Sequence, residues 1–142
     1  LINVELKTSV IRYEGIEQKT LDLVRKHGLE KYVVFSSFLA DSVELMKQLS
    51  PDCKTGMLAS TIDDCLYRSD GRPIESDAVH PWVGGLTTSL PEGKKDIPVR
   101  AWNAEEPFFT NDSRNVLIYD QRIYGESGVT DLITNVPERY LM

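Results

Sequence analysis

The amino-acid sequence predicts an α/β fold in which parallel strands alternate with helices. Two observations predict it: short apolar runs rich in β-branched residues recur along the chain, and amphipathic helical segments separate the first of them. About six strand candidates occur, which is enough for an open sheet or for most of a barrel. In both architectures, functional residues are expected at the C-terminal ends of the parallel strands.

The first half of the chain contains three strand candidates and two helix candidates. In chain order they are a strand over residues 1–8, a helix from Glu14 to His27, a strand from Tyr32 to Phe35, a helix that stops before Pro51 and a strand from Lys54 to Ala59. Gly28 follows the first helix as a residue that tolerates a left-handed backbone. Asp41 or Ser42 is expected to cap the second helix, because both side chains accept hydrogen bonds from backbone N–H groups.

The second half of the chain has weaker signals and more polar loops. Its expected elements are a loop or short irregular helix over residues 60–75, a brief strand over 77–80, a loop or short helix over 84–96, a strand over 98–102 and a last strand over 129–134 that Pro137 closes. Residues 103–127 are ambiguous and include an apolar run from Val116 to Tyr119.

Length, composition and charge describe a single domain over residues 1–142 and exclude several functions. Hydrophobic residues make up 41% of the chain and charged residues 27%, close to the averages of globular proteins. Because the net charge is −6 and no basic patch occurs, we do not expect nucleic-acid binding. No run of about 18 apolar residues occurs, so no transmembrane segment is expected, and the compartment stays open.

The cysteines and histidines do not form a known metal or catalytic pattern by spacing. Cys53 and Cys65 are favoured as buried or free thiols, with a disulfide between them as the alternative. His27 lies in the last turn of a predicted helix, where a cation interacts favourably with the helix dipole. His80 precedes a proline at a strand end and is expected to be packed or hydrogen-bonded rather than to face a site.

Five short motifs follow one another from the first residue of the chain to the last. They are Val4-Glu5-Leu6-Lys7, Val33-Val34-Phe35-Ser36-Ser37-Phe38, Lys54-Thr55-Gly56-Met57-Leu58, Val99-Arg100-Ala101-Trp102 and Gly128 to Thr134 before Pro137. In this order and spacing they resemble the glycerophosphodiester phosphodiesterase family. The resemblance implies a TIM-type (β/α) barrel, of which this chain would be the C-terminal part, incomplete at the N-terminus with about five to six strands.

The resemblance also implies hydrolysis of glycerophosphodiesters to an alcohol and glycerol 3-phosphate, assisted by Ca²⁺ or Mg²⁺. By this similarity Glu5 would be a metal ligand, Lys7 would reach a phosphate oxygen, and Phe38 and Trp102 would form an apolar wall. Residues i and i+2 of a strand point to the same face, so Glu5 and Lys7 are expected to project together into one site. The alternative is an exposed Glu/Lys pair on the solvent face of an edge strand.

The catalytic histidines of the family are missing from this sequence. Members of the family resemble one another in a His-Arg-Gly motif and a His-Asp motif with a Glu-x-Asp pair between them, and this chain has neither histidine motif. Near its end, Thr130, Asp131 and Asn135 stand where the family commonly has Asp, Gly and Asp. The isolated chain is therefore expected to be inactive. Three explanations are open: the chain is a part of a longer enzyme, it is a partial barrel that a homo-oligomer or another subunit completes, or it is a non-catalytic binding module.

Overall fold

The computed structural model describes residues 1–86, 88–102 and 128–135. The strands and helices in these ranges, in chain order, are β1 (Ile2–Glu5), α1 (Ile16–Lys26), β2 (Val33–Ser37), α2 (Ala40–Leu49), β3 (Lys54–Ala59), α3 (Ile62–Leu66), β4 (Ala78–Pro81), β5 (Arg100–Trp102) and β6 (Asp131–Ile133). Short 3₁₀ turns occur at Glu30–Tyr32, Val83–Gly85 and Glu92–Lys94. Residues 103–127 and Pro137, to which two of the sequence-based expectations refer, lie outside the described residues.

All of the described strands run parallel to their neighbours. Strands β1 to β4 form one sheet in chain order, and β5 and β6 form a second sheet. Two isolated parallel bridges, Val79 with Val99 and Trp82 with Trp102, join β4 to β5, so the two sheets continue into each other. The predicted α/β architecture with parallel strands is confirmed. Closure of these strands into a barrel stays a prediction.

Helix α1 follows the predicted pattern closely and ends where the sequence indicates. Gly28 has φ of +65°, and its N–H donates to the carbonyl of Arg25, while the N–H of Leu29 donates to the carbonyl of Val24. This arrangement satisfies carbonyls of the last turn that lack a partner within the helix. The left-handed conformation explains the need for glycine at this position.

Helix α2 and strand β2 begin at different residues from those predicted. Tyr32 is exposed in a 3₁₀ turn, and β2 starts one residue later. Helix α2 starts at Ala40, and neither Asp41 nor Ser42 is its N-cap. The cap prediction was wrong because the helix begins before both residues, so they lie within its first turn, and the Ser42 side chain is buried against α1 instead.

Most of the buried apolar side chains lie between the strands and the helices. One cluster packs α1 and α2 against β1 and β2, and consists of Leu6, Leu21, Val24, Val33, Phe35 and Met46. A second cluster packs α2 and α3 against β3, β4 and Val99, and includes Val43, Met57, Ala59, Ile62, Leu66 and Val79. Strand residues alternate between the two faces of a sheet, so the strand residues next in sequence to those in the clusters point to the face away from the helices.

The remaining expectations on the fold concern the cysteines and the membrane. Cys53 and Cys65 are both free thiols, Cys65 fully buried, as predicted. Burial raises the pKa of the Cys65 thiol to about 12, so it is protonated at neutral pH. No helix among the described residues is long and apolar enough to cross a membrane.

Candidate active site

A cavity of about 880 Å³ opens on the face of the strands that points away from the helices. Strands β1, β2, β3, β5 and β6 all contribute to it, mostly with residues at alternate positions. The residues that line it include Glu5, Lys7, Phe38, Leu58, Arg100, Trp102 and Asp131. The concave face of the parallel strands thus forms a site to which distant parts of the chain contribute.

All four site residues predicted from the family resemblance line this cavity. They are Glu5, Lys7, Phe38 and Trp102. The Lys7 ammonium donates a hydrogen bond of 3.2 Å to Glu5 Oε1. The Lys7 side chain is 80% exposed and that of Glu5 is 31% exposed, so the ammonium has room to contact a ligand. The pair therefore lies at the cavity, and not on an outer face away from it.

Phe38 and Trp102 form an aromatic corner at the C-terminal ends of β2 and β5. Their ring centroids lie 5.5 Å apart and the rings are nearly perpendicular, at 88°. This edge-to-face geometry is the favourable one for two aromatic quadrupoles. The indole N–H of Trp102 donates to the carbonyl of Ala59 at 3.3 Å, which fixes the plane of the ring. Phe38 stays 40% exposed and supplies apolar surface to the site.

His80 lies on the face of β4 that points toward the interior of the curved sheet. It is fully buried, as the packed interpretation predicts, but neither ring nitrogen has a hydrogen-bond partner among the described residues. Burial, and then the positive charge of Arg100, lower its pKa to about 3, with partial opposition from Asp131. The imidazole is therefore neutral at physiological pH.

Gly56 on β3 makes room for the His80 ring. A Cβ atom at position 56 would lie 2.2 Å from Nε2 of His80. No side chain fits there unless the imidazole moves. Glycine is therefore required in the third motif because the His80 ring of β4 lies directly against the backbone of β3.

A buried polar network that was not predicted from the sequence lies behind the C-terminal end of β1. Glu17 of α1 is fully buried, and its Oε1 accepts hydrogen bonds of 2.7 Å from Ser42 Oγ and from Arg12 Nη1. Burial alone would raise the pKa of Glu17, but the hydrogen bonds from Ser42 and Arg12 lower it overall. Glu17 stands four and seven residues before Leu21 and Val24 on the buried helix face, and this spacing could have identified it.

The network continues from Ser42 through two more hydroxyls to the backbone of β1. Thr8 Oγ1 lies 2.7 Å from Ser42 Oγ and 3.1 Å from Ser37 Oγ, and Ser37 donates to the carbonyl of Leu6 at 2.8 Å. Ser42 uses its proton to donate to Glu17, and Ser37 uses its proton to donate to Leu6. In the shorter contact, between Thr8 and Ser42, Thr8 is therefore the donor. The carboxylate thereby orients the hydroxyls that hold the segment carrying Glu5 and Lys7.

The described residues do not by themselves form a complete metal site. Within residues 1–86, 88–102 and 128–135, no three His, Cys, Asp or Glu side chains group together to hold a metal ion. A triplet with Glu-x-Asp spacing does occur, at Glu75 to Asp77, but it lies at the start of β4. Asp77 accepts hydrogen bonds there from the backbone and hydroxyl of Thr55 and from Lys47. Glu5 is the predicted ligand that faces the cavity.

Comparison with known proteins identifies the relatives of this chain. No protein-family model matches it. An uncharacterised protein, YqiK, from Bacillus subtilis is 32% identical over 145 residues, covering 98% of this chain and 54% of the relative. A glycerophosphodiester phosphodiesterase from Caldanaerobacter subterraneus is 26% identical over 97% of this chain and 53% of its own length. Another, from Bacillus altitudinis, is 28% identical over 98% of this chain and 54% of its own length.

The chain is similar along almost its whole length to two proteins named glycerophosphodiester phosphodiesterase. It spans about half the length of the curated relatives it matches. Two solved structures share its fold: a candidate glycerophosphodiester phosphodiesterase from Galdieria sulphuraria has a TM-score of 0.64 at 22% identity, and a glycerophosphodiester phosphodiesterase from Parabacteroides distasonis has a TM-score of 0.62 at 17% identity. Both matches cover 96% of this chain and 54% of the solved chain. The likeness to these two members of the family concerns the fold.

Proposed function

We propose that this chain forms the C-terminal part of a barrel that hydrolyses glycerophosphodiesters to an alcohol and glycerol 3-phosphate. The observation that carries the proposal is the placement of Glu5, Lys7, Phe38 and Trp102 in one cavity. The family resemblance implies these four residues, which come from three segments of the chain. They meet at the C-terminal ends of parallel strands, where barrel enzymes carry their active sites. Two relatives named for this activity align with almost the whole chain.

Each of the four side chains has a defined role in the proposal. The exposed ammonium of Lys7 binds a non-bridging phosphate oxygen, and Glu5 holds it at the cavity through the 3.2 Å hydrogen bond. The corner of Phe38 and Trp102 packs against the glycerol or the leaving alcohol and keeps water from that side of the phosphodiester. These residues bind and orient the substrate.

We further propose that a divalent cation, Ca²⁺ or Mg²⁺, assists the reaction and that Glu5 provides one ligand to it. Both ions require oxygen ligands, and Ca²⁺ takes about six to eight of them. The described residues offer too few carboxylates at the cavity to complete such a site. The remaining ligands have to come from outside the described residues.

Proton transfer cannot be assigned to the histidines of this chain. His27 is exposed beyond the end of α1, and His80 is neutral, buried and away from the cavity lining. A general acid or base has to reach the reacting oxygen within hydrogen-bonding distance. We therefore propose that the acid and base groups of the reaction lie outside the described residues, and that the chain alone is inactive.

A second candidate function is a non-catalytic interaction module, which the exposed edge of β1 favours. Among the described strands β1 pairs with β2 only, and Leu1, just before the strand, and Ile2, its first residue, are 73% and 51% exposed. An unpaired edge with apolar side chains favours pairing with another chain, including a second copy. Sedimentation equilibrium tests this candidate, because a stable dimer without hydrolysis in any assembly supports the module over the enzyme.

The proposed activity is tested by release of glycerol 3-phosphate from glycerophosphocholine with Ca²⁺ or Mg²⁺, using the protein as its coding sequence encodes it. We expect Glu5→Gln to reduce the rate by about 100-fold or more, since it removes a charged group at the reacting centre. Glu92→Gln is the matched control, because Glu92 is exposed beside Lys95 and does not line the cavity. Equal rates for Glu5→Gln and the parent, or no hydrolysis by the encoded protein, would contradict the proposal.

A further inference from the structure

Arg100 is a mostly buried cation with unused hydrogen-bond donors in the cavity. Its side chain is 14% exposed, and its Nε lies 3.3 Å from Oδ2 of Asp131 on the neighbouring strand. A guanidinium has five N–H donors, and within the described part of the chain only this one contact uses any of them. No Arg100 nitrogen is among the buried polar atoms that lack a partner, so the remaining donors are accessible in the cavity, where they can contact the oxygens of a ligand.

The strand register places Arg100 level with the predicted phosphate-binding lysine. On β3 and β4, Leu58 pairs with His80, and on β5 and β6, Arg100 pairs with Asp131. The bridges of Val79 to Val99 and Trp82 to Trp102 put His80 beside Arg100 in the same row. On β1 and β2, Glu5 pairs with Ser36, so two residues further along Lys7 comes level with Phe38. On β2 and β3, Ser37 pairs with Met57, so one residue further along Phe38 comes level with Leu58.

Two cations thus face the same cavity from different strands at one level of the sheet. Lys7 and Arg100 line it with their carboxylate partners Glu5 and Asp131. Asp131 is 54% exposed, so water screens its charge, whereas the guanidinium it holds is largely shielded from solvent. The neutral, buried His80 next to Arg100 adds no competing acceptor that reaches the guanidinium. An anion satisfies this arrangement better than a neutral or cationic group does.

We propose that Arg100, oriented by Asp131, binds phosphate oxygens of a ligand in the cavity that Lys7 also lines. The planar guanidinium presents paired N–H groups that match two oxygens of a phosphate group, and Asp131 fixes that plane by holding Nε. The assignment of phosphate as the anion rests on the proposed function. Arg100 is a binding residue in this account, and it takes no part in proton transfer.

The test is calorimetric titration of the chain with inorganic phosphate at low ionic strength. We expect Arg100→Gln to weaken phosphate binding by about tenfold or more, since the substitution removes both the positive charge and the paired N–H donors. Arg100→Lys retains the charge without the paired donors and is expected to bind with intermediate affinity. Arg72→Gln is the matched control: Arg72 also donates from Nε to an aspartate, Asp70, but that pair is exposed and outside the cavity.

The titration separates this inference from the proposed hydrolysis because it requires no turnover. Phosphate binding that weakens in Arg100→Gln and not in Arg72→Gln supports the subsite, even if the encoded protein hydrolyses no glycerophosphodiester. Circular dichroism confirms that each variant is folded, and Arg100→Lys replaces Arg100→Gln if the latter unfolds. Equal phosphate affinity in the parent and in the folded Arg100 variants, or no phosphate binding by the parent, overturns the proposal.

Discussion

The hydroxyl of Ser42 donates a hydrogen bond of 2.7 Å to the carboxylate of Glu17, and both side chains are completely buried. The bond joins α2 to α1 behind the strand that carries Glu5 and Lys7. Through Thr8 and Ser37 the same network reaches the carbonyl of Leu6, between the two site residues. The position of the site therefore depends on groups that never contact the cavity.

Ser42→Ala tests the stabilising part of this network. Removal of the hydroxyl leaves a buried carboxylate oxygen without one of its two donors, so we expect a loss of about 1–3 kcal/mol in the free energy of unfolding. Urea denaturation measures it. Ser50→Ala is the control, since Ser50 only accepts an exposed hydrogen bond from Arg25 and its loss is expected to change stability by less than about 0.5 kcal/mol. Equal effects of the two changes would mean that the network contributes nothing specific.

The lowered pKa of Glu17 makes stability depend on pH in the acidic range. In the folded protein its pKa lies below the ordinary 4.5, so between these values the unfolded chain binds more protons than the native one. The contribution of Glu17 is complete above about pH 4.5 and is lost as the pH falls through the folded pKa. Chemical denaturation from pH 7 to pH 3 should therefore show a shallower acidic decline for Glu17→Gln than for the parent. Parallel declines would contradict the assignment.

His80 gives a second pH dependence, in a different window. Its pKa falls from 6.5 to about 3 on folding, so the unfolded chain gains a proton that the native protein excludes. We expect stability to fall as the pH drops from 6.5 toward 3, with a slope of up to about 1.4 kcal/mol per pH unit from this residue. Unfolding measurements of His80→Gln should lack this slope, while the exposed-residue control His27→Gln should keep it. An unchanged slope in His80→Gln would show that the imidazole titrates in the native protein.

The close approach between Gly56 and His80 predicts a non-additive pair of substitutions. Gly56→Ala places a methyl group 2.2 Å from the imidazole, so we expect a loss of about 1–3 kcal/mol from overpacking. In the His80→Ala background, the same substitution should cost much less, since the obstructing ring is absent. Gly93→Ala is the control, because its added Cβ meets nothing within 4 Å. Additive losses in the double variant would contradict the contact.

Much of the fold follows from local patterns in the sequence. The bounds of β3, Lys54–Ala59, agree with the prediction to the residue. The shared orientation of Glu5 and Lys7 follows from the two-residue period of a strand. Gly28 ends α1 as predicted because its role depends only on the backbone conformation of one residue.

The parts that the sequence did not predict depend on contacts between distant segments. Glu17 is buried because Ser42, 25 residues away, and the loop residue Arg12 supply donors that no local pattern reveals. Ser42 has the right chemistry for a helix cap, but α2 begins two residues before it, and its buried hydroxyl donates to Glu17 of the neighbouring helix. The contact of Arg100 with Asp131 spans 31 residues and required the pairing of β5 with β6.

Titration of the chain with glycerol 3-phosphate, followed by the indole N–H resonances in NMR, tests the central claim most directly. The claim is that Lys7, Phe38 and Trp102 line one site for a glycerol phosphate group. We predict that the Trp102 signal, assigned with Trp102→Phe, shifts and saturates with glycerol 3-phosphate, and that Lys7→Gln abolishes the shift while the surface change Lys95→Gln preserves it. No saturable shift of Trp102, or an identical shift in Lys7→Gln, would contradict the account.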